Sequence, residues 1–130
     1  MMKNNKEKQF NFLGKKVTKP SKKLDTFETP ANINYVKFES NELTSFCPVT
    51  GQPDFSQFIL EYKPAQKCIE SKSLKLYLWS FREEAIFAES LANKMLEDIV
   101  DAIKPEWCKV TIIQNVRGGL QLTAIAENKK

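Results

Sequence analysis

Cys47 and Asp54 are the two side chains of this sequence whose types and spacing best fit covalent chemistry. They stand seven residues apart in the segment SFCPVTGQPDF. A cysteine in a loop bounded by proline and glycine is more accessible than one inside an apolar strand, and its thiolate is a strong nucleophile. A nearby carboxylate can accept the thiol proton or pass a proton to a substrate. The segment indicates either a nucleophile with an acid–base partner or a loop cysteine packed under its neighbours.

The other two cysteines, Cys68 and Cys108, lie in or beside apolar stretches typical of strands. Cysteine in such a place behaves as a small hydrophobic residue. The three cysteines include no CxxC pair, and the chain contains no histidine. These counts exclude a histidine-based triad and every histidine-ligated metal site within the chain. They also make a disulfide framework or a metal site improbable, so we predict no metal.

A second group of polar residues, Ser71, Lys72, Ser73 and Lys75, lies in the segment ESKSLK at the predicted start of a helix. Backbone N–H groups and the dipole at a helix N-terminus attract anions, and two lysines add positive charge, so a phosphate could bind here. The chain has four glycines, none of them with Rossmann or Walker spacing. The alternative for this cluster is a solvated helix face.

Alternating apolar residues predict the strands that must position Cys47. One strand is predicted over residues 33–39 and another over residues 57–63. The prolines and the glycine of ELTSFCPVTGQPDF, residues 42–55, predict an ordered but irregular excursion between these strands. The sequence therefore places Cys47 and Asp54 together in a long loop.

After Cys68 the spacing of the apolar residues changes from two to steps of three and four, which predicts two helices. Ser71 or Ser73 is the predicted cap of the first helix, and Pro105 ends the second. Two further strands flank the turn Arg117-Gly118-Gly119. The predicted order is strand, strand, helix, helix, strand, strand. This order favours an α+β fold with an antiparallel sheet and a helix pair on one face.

The charge of the chain is concentrated at its N-terminus. The net charge is +4, but residues 1–24 carry +7 and the remainder carries −3. We therefore predict a flexible lysine-rich leader over residues 1–24, a single domain over residues 25–130, and no direct nucleic-acid partner. The sequence shows neither a secretory signal nor a long apolar run, so we expect a cytoplasmic protein without a membrane partner. Open sheet edges predict a ring-forming homo-oligomer with sites between subunits.

The two polar segments occur together in a known family. FCPVTGQPDF followed by ESKSLKLYLWSFR, with the later FAE segment and RGG turn, resembles the unimodular NADPH-dependent 7-cyano-7-deazaguanine reductases of the QueF family. The resemblance covers residues 27–127. It implies the tunnelling fold (T-fold), whose β-β-α-α-β-β subunits assemble into rings. It also implies reduction of a nitrile to a primary amine with two NADPH, in the biosynthesis of the tRNA nucleoside queuosine.

The resemblance also implies roles for individual residues. Cys47 would add to the nitrile of 7-cyano-7-deazaguanine to form a covalent thioimide, and Asp54 would donate a proton. Residues that would bind the substrate are Glu70, Ser71 and Glu89. Residues that would bind or approach NADPH are Lys72, Ser73, Lys75, Arg117 and Gly118.

This sequence departs from the family pattern at Ala88, where the family commonly has histidine before the substrate-binding glutamate. An alanine side chain can neither hydrogen-bond nor donate a proton, so that auxiliary role is unnecessary, replaced or lost. Two alternative functions follow. One is an amidinotransferase of the QueF-like archaeosine synthase type, in which ammonia attacks the same thioimide without NADPH. The other is a non-catalytic deazaguanine-binding or assembly module.

Overall fold

The computed structural model describes residues 10–14 and 19–129, and these residues form two sheets and two helices. The strands are β1 Thr26–Glu28, β2 Val36–Phe46, β3 Pro53–Lys63, β4 Lys67–Ile69, β5 Trp107–Gln114 and β6 Thr123–Lys129. The helices are α1 Ser71–Trp79 and α2 Ala88–Ile103.

The main sheet is antiparallel, with the strand order β2-β3-β5-β6. Helix α2 packs against β5 and β6, and α1 packs against β2. The predicted succession of two strands, two helices and two strands is therefore confirmed. The short antiparallel pair β1 and β4 was not predicted, because a strand of three residues is too short to show a period.

The alternate residues of β3 explain how the core leads to a polar site. Phe58, Leu60 and Tyr62 are fully buried on one face of the strand, and Ser56 and Asp54 continue the same face towards its beginning. Because side chains of a strand alternate between two faces, these five residues must share one side of the sheet. The core face of β3 therefore changes from apolar to polar where the strand leaves the Cys47 loop.

The predicted irregular excursion over residues 42–55 is wrong in its extent. Strand β2 continues to Phe46 and β3 begins at Pro53, so only residues 47–52 form the loop. Pro53 is tolerated because it is the first residue of its strand. The pairing shifts between Ser40 and Leu43, where β2 has one residue more than β3, as in a β-bulge. Pairing with β3 decides the conformation here, and no short-range signal in the sequence reports that pairing.

The predicted cap of α1 is also wrong. Neither Ser71 nor Ser73 is the N-cap, because Glu70 occupies that position with extended backbone. Its carboxylate accepts hydrogen bonds from the backbone N–H groups of Lys72 and Ser73, both at 2.8 Å. Glu70 follows β4 directly, so the chain passes from strand to helix without a connecting loop.

The leader prediction falls partly outside the described residues, which omit residues 1–9 and 15–18. Two described parts of the leader contact α1. The backbone N–H of Ser21 donates to the carbonyl of Leu76 at 3.3 Å, and the ammonium of Lys22 lies 4.4 Å from the centre of the Phe81 ring. The segment around Phe12 lies at the other end of the helix and contacts Lys72.

Candidate active site

Cys47 and Asp54 line one cavity of about 640 Å³ at the polar end of the main sheet. This volume lies within the range of roughly 300–1,000 Å³ that is common for small-molecule sites. The cavity brings together four of the other predicted or motif-bearing positions, Ala88, Glu89, Arg117 and Gly118. Its remaining walls are provided by Gln52, Phe87, Gln114, Asn115, Leu120 and Leu122.

The loop that carries Cys47 is closed by its own backbone. The N–H of Cys47 donates to the carbonyl of Gln52 at 2.8 Å, and the N–H of Gly51 donates to the carbonyl of Cys47 at 2.9 Å. Gly51 has a φ of +73°, a conformation that glycine adopts without steric cost. The tight turn leaves the Cys47 side chain partly exposed, whereas Cys68 and Cys108 are buried.

The same loop favours the thiolate form of Cys47. The hydrogen bond from the Thr50 hydroxyl is the largest cause that lowers the pKa of the thiol, followed by the backbone N–H groups of Thr50 and Val49. The positive charge of Arg117 lowers this pKa further. In contrast, burial raises the pKa of Cys108 to about 12. The cysteine that faces the cavity is thus also the more easily ionised of these two.

Asp54 is buried beside two positively polarised side chains. Only 5% of the residue is exposed, and its carboxylate forms an ion pair with the guanidinium of Arg117. The side-chain amide of Gln114 donates to it at 3.4 Å. A guanidinium in contact with a carboxylate favours the charged form of the acid. Asp54 thus presents a buried, ion-paired carboxyl group to the cavity that Cys47 also lines.

Arg117 reaches Asp54 because of a tight glycine turn. Arg117 and Leu120 exchange backbone hydrogen bonds of 2.9 and 3.0 Å, and Gly118 and Gly119 both have positive φ, at +58° and +79°. Two consecutive residues with positive φ are the mark of a type I′ turn, which glycine best satisfies. The guanidinium also donates to the side-chain oxygen of Gln52 at 2.6 Å. The turn thereby ties Arg117 to the Cys47 loop rather than to the lysines of α1.

Glu89 reaches the cavity because the connection between the helices is pinned to the end of β2. The N–H of Phe46 donates to the carbonyl of Glu84 at 2.7 Å, and the N–H of Ile86 donates to the carbonyl of Phe46 at 3.0 Å. Helix α2 then begins at Ala88, which is only 2% exposed, and Glu89 stands exposed in its first turn. Glu89 is thus one of the residues that line the cavity.

The first turn of α1 lies outside this cavity, and most of its polar groups are already used. The carboxylate of Glu70 accepts from two backbone N–H groups of the turn. Ser73 is fully buried, and its hydroxyl donates to the carbonyl of Glu70 at 2.8 Å and accepts from the N–H of Asp25 at 2.9 Å. A phosphate cannot take these N–H groups while Glu70 caps them. Among the described residues, the side chains of Ser71 and Lys75 remain as donors for an anion, whereas the Lys72 ammonium already donates to the carbonyl of Phe12 at 2.8 Å.

Lys75 lines a second cavity, of about 430 Å³, between α1 and β2. Arg82 and Trp79 line it as well, and Glu42 adds one carboxylate. Among residues 10–14 and 19–129, neither Lys75 nor Arg82 forms a side-chain hydrogen bond or an ion pair. Two such cations beside an indole ring fit the phosphates and the flat rings of a dinucleotide. No residue lines both cavities.

Several residues that line the two cavities or contact Cys47 were missed by the sequence reasoning. Thr50 and Gln52 stand within the Cys47 motif, and their position in that loop was the available signal. Gln114 lies opposite Ser56 in the pairing of β5 with β3, which only the sheet register reveals. Arg82 is the last residue of the ESKSLKLYLWSFR segment. Basic residues are common near the C-terminal ends of helices, so its position gave no specific signal.

Neither a metal site nor a membrane span is found in the part of the chain that the structure describes. Within residues 10–14 and 19–129, no three acidic or cysteine side chains come together as possible metal ligands. No helix in the same residues has the length and apolar character needed to cross a membrane.

Comparison with known proteins links this geometry to one family. A family model described as QueF-like protein matches residues 53–130. The NADPH-dependent 7-cyano-7-deazaguanine reductase of Syntrophus aciditrophicus is 52% identical over 114 residues, which are 86% of this chain and 81% of that protein. The reductase of the same name from Nitrosomonas europaea is 47% identical over 115 residues, covering 87% of this chain and 83% of the relative.

A solved structure supports the fold. The crystal structure of the apo form of the archaeosine synthase QueF-Like matches with a TM-score of 0.71 and 26% sequence identity. The match covers 75% of this chain and 96% of that chain. The predicted α+β tunnelling fold is confirmed.

Proposed function

Because the chain belongs to the family of QueF-like proteins, we propose that it reduces the nitrile of 7-cyano-7-deazaguanine to a primary amine with two NADPH. The observation that carries this proposal is the meeting of Cys47, Asp54 and Glu89 in one cavity, with the pKa of the thiol lowered. A nitrile carbon is a weak electrophile. Addition of a thiolate converts the triple bond to a C=N group that accepts hydride, which divides one difficult step into easier ones.

The first step forms a covalent thioimide on Cys47. The sulfur of Cys47 bonds to the nitrile carbon, one π bond of C≡N breaks, and the nitrogen takes a proton. Asp54 accepts the thiol proton and delivers it to that nitrogen, so the step is neutral overall. The position of Asp54 in the cavity that Cys47 lines, where Arg117 holds its carboxylate, supports this role.

Glu89 is the residue we assign to the guanine-like edge of the substrate. Two neighbouring N–H donors of such a ring pair with the two oxygens of one carboxylate. The exposed carboxylate of Glu89 in the cavity supports this assignment. We expect Ser71 to take part in substrate binding, and Glu70 to act by holding the first turn of α1.

NADPH supplies the hydrides for the two reductions when it is bound. We assign its phosphates to Lys72 and Lys75, and Ser73 holds the turn on which both lysines stand. The cavity beside Lys75 and Arg82 supports this assignment, since its cations form no ion pair among the described residues. Arg117 and Gly118 approach the cofactor from the hairpin side. The guanidinium retains 40% of its exposure beside Asp54, which leaves donors available.

The separation of the two cavities leads us to propose a homo-oligomeric ring with active sites between subunits. A hydride must reach the carbon bound to Cys47, yet Lys75 and Cys47 line different cavities in one chain. A second copy that contributes its α1 beside the Cys47 cavity would bring them together. The main sheet supports this arrangement because β2 and β6 are its outer strands, open to further pairing.

We place the protein in the cytoplasm, as a producer of 7-aminomethyl-7-deazaguanine for queuosine. Three free cysteines support a reducing compartment. The amidinotransferase alternative has one observation in its favour, the fold shared with the archaeosine synthase QueF-Like. The reductase is the better-supported function because relatives named as reductases are 47% and 52% identical, against 26% for that synthase.

The test of the proposal is a reaction of protein, nitrile and NADPH followed by the loss of nicotinamide absorbance. We expect two cofactors oxidised per amine formed. Incubation with the nitrile alone should give a covalent adduct in the intact mass, present in Cys68→Ala and absent in Cys47→Ala. An adduct at Cys68, or conversion of tRNA-borne nitrile with ammonia but none with NADPH, would contradict the reductase function.

A further inference from the structure

Gln52 stands between Cys47 and Asp54 in the sequence, and its side chain contacts the guanidinium that pairs with Asp54. One terminal nitrogen of Arg117, Nη1, pairs with Oδ1 of Asp54, and the other, Nη2, donates to Oε1 of Gln52 at 2.6 Å. The two acceptors are separated by one residue, so the guanidinium bridges the end of the Cys47 loop and the beginning of β3. Contacts through two nitrogens fix the plane of a guanidinium, which a single contact does not do.

The backbone of Gln52 closes the Cys47 loop independently of this side-chain contact. Its carbonyl accepts from the N–H of Cys47 at 2.8 Å, and its N–H donates to the hydroxyl oxygen of Thr50 at 3.3 Å. Both bonds use main-chain atoms of Gln52. A substitution at this position can therefore remove the side-chain acceptor while the bonds that shape the loop remain.

Arg117 needs a second contact because it is partly exposed at the hairpin turn. Its side chain is 40% exposed, whereas that of Asp54 is 7% exposed. A long side chain near the surface has many rotamers, and an ion pair with one exposed member restricts them weakly. Among the described residues, Gln52 is the only side chain besides Asp54 that accepts a hydrogen bond from this guanidinium.

The two oxygens of the Asp54 carboxylate are held unequally. Oδ1 pairs with Arg117, whereas the contact of Oδ2 within the described part of the chain is the side-chain amide of Gln114 at 3.4 Å. That distance is long for an N–H···O bond, and a bond from a charged donor is stronger than one from a neutral donor. Oδ2 is therefore the less strongly held oxygen and the better one to exchange a proton.

We propose that Gln52 is a positioning residue that holds Arg117 on Oδ1 of Asp54 and so leaves Oδ2 to transfer the proton, an inference that rests on the proposed function. In adduct formation the proton leaves the sulfur of Cys47, is taken up by Oδ2 and passes to the nitrile nitrogen, so the step stays neutral overall. Gln52 acts through Arg117 and does not itself touch the reacting atoms. Without this acceptor, the guanidinium would rotate towards solvent or across both carboxylate oxygens.

The test uses the full chain with Gln52→Leu, and it follows the Cys47 adduct by intact mass after mixing with 7-cyano-7-deazaguanine. NADPH is omitted, so an effect of Arg117 on the cofactor does not enter the measurement. The maximal rate of adduct formation should fall about threefold to tenfold, as expected for the loss of one hydrogen bond to a charged group. The nitrile concentration that gives half this rate should change less than twofold, because Glu89 is unaltered.

Two further variants separate the acceptor from the side chain that carries it. Gln66→Leu, at an exposed position between β3 and β4, is the matched control and should keep the wild-type rate. Gln52→Glu keeps an acceptor oxygen at the same length, but its charge competes with Asp54 for the guanidinium, so its rate should lie between those of the wild type and Gln52→Leu. A rate for Gln52→Glu no higher than that of Gln52→Leu would overturn the inference.

A double-mutant cycle separates positioning from a general effect on the loop. In an Arg117→Ala background, Gln52→Leu should change the rate of adduct formation less than twofold, because its effect passes through the missing guanidinium. A loss of equal size in both backgrounds would overturn the inference, since Gln52 would then support the loop itself. An unchanged rate in Gln52→Leu alone would also overturn it.

The proposed function and the role of Gln52 fail in different ways. Wild-type protein that forms no adduct at Cys47 would overturn both. Wild-type protein that forms the adduct and oxidises two NADPH per amine, beside a Gln52→Leu protein with the same rate of adduct formation, would overturn the role of Gln52 alone. If Gln52→Leu lowers the melting temperature, the cycle decides, because an effect on folding would persist without Arg117.

Discussion

The Cys47 cavity and the first turn of α1 carry the two motifs of this chain, and they differ in what their polar groups contact. In the cavity, Cys47 and Glu89 face open space, and Asp54 is held at its wall by Arg117. In the first turn, Glu70 and Ser73 are buried, and their side chains bond to backbone groups of the protein itself.

The residues of a functional motif therefore need not all react or bind, because some of them only stabilise the local structure. Cys47 has a lowered thiol pKa beside a cavity, which is the environment of a reactive group. Glu70 and Ser73 have the environment of structural groups, with buried atoms and their hydrogen bonds satisfied. Five experiments test this distinction between reacting and structural groups.

The largest effect is expected for Asp54→Asn. The amide cannot accept the thiol proton or deliver it to the nitrile nitrogen, so kcat should fall roughly 10²- to 10⁴-fold. Pre-steady-state measurement of the rate of adduct formation should fall in parallel. Asp101→Asn, on the exposed side of α2, is the matched control and should retain wild-type turnover. A loss below tenfold in Asp54→Asn would remove this residue from proton transfer.

Complementation between two inactive proteins tests whether the two regions meet across subunits. Cys47→Ala and the double variant Lys72→Ala/Lys75→Ala, unfolded and reassembled together, should regain about a quarter of wild-type activity if each site takes one group from each neighbour. Cys47→Ala mixed with Asp54→Asn is the control and should remain inactive, because both residues line the same cavity of one chain. No recovery in the first mixture would mean that one chain supplies both regions.

The pH dependence of alkylation tests the contrast between the loop cysteine and a core cysteine. Because the pKa of Cys47 is lowered, its thiolate, and so its rate of reaction with iodoacetamide, should reach half-maximum at a lower pH than that of an unperturbed cysteine. Cys108, with its pKa raised to about 12, should stay unmodified up to pH 9 in the folded protein.

Removal of the Thr50 hydroxyl should weaken this contrast. Thr50→Val loses the largest cause of the lowered pKa, so the midpoint should move to higher pH. Thr123→Val, exposed on β6, should leave the midpoint where it is in the wild type. The extent of Cys47 alkylation at each pH is determined by peptide mass spectrometry. Equal midpoints in the wild type, Thr50→Val and Thr123→Val would show that the loop does not activate Cys47.

The smallest effect is expected for Glu70→Ala. Loss of the N-cap carboxylate should lower the free energy of unfolding by about 1–2 kcal/mol, because two backbone N–H groups lose their acceptor. Glu70→Gln keeps one acceptor oxygen and should be affected less. Urea denaturation measures both. Unchanged stability together with lost substrate binding would move Glu70 from the structural group to the reacting group.

The sequence predicted the fold class and the cavity better than it predicted their details. Long alternating and helical periods predicted the four strands of the main sheet and both helices, since such periods reflect burial on one face. The end of β2 and the cap of α1 were predicted wrongly. The end of β2 depends on its pairing with β3, which continues to Phe46 and Pro53, and the cap of α1 depends on where the short strand β4 ends. Neither feature produces a period in the sequence.

By itself, the sequence determined which chemistry was possible. The absence of histidine excluded histidine-based catalysis, and the residues left Cys47 as a nucleophile or a packed loop cysteine and the lysine pair as an anion site or a solvated helix face. The resemblance to the QueF family implied the first reading of each. Only the tertiary structure decided which groups meet. The register of β3 with β5 and the glycine turn after Val116 bring Arg117 to Asp54, and no residue of α1 lines the cavity where they meet. The type of a residue determines which reactions its side chain can undergo, but contacts between residues distant in sequence determine which side chains come together.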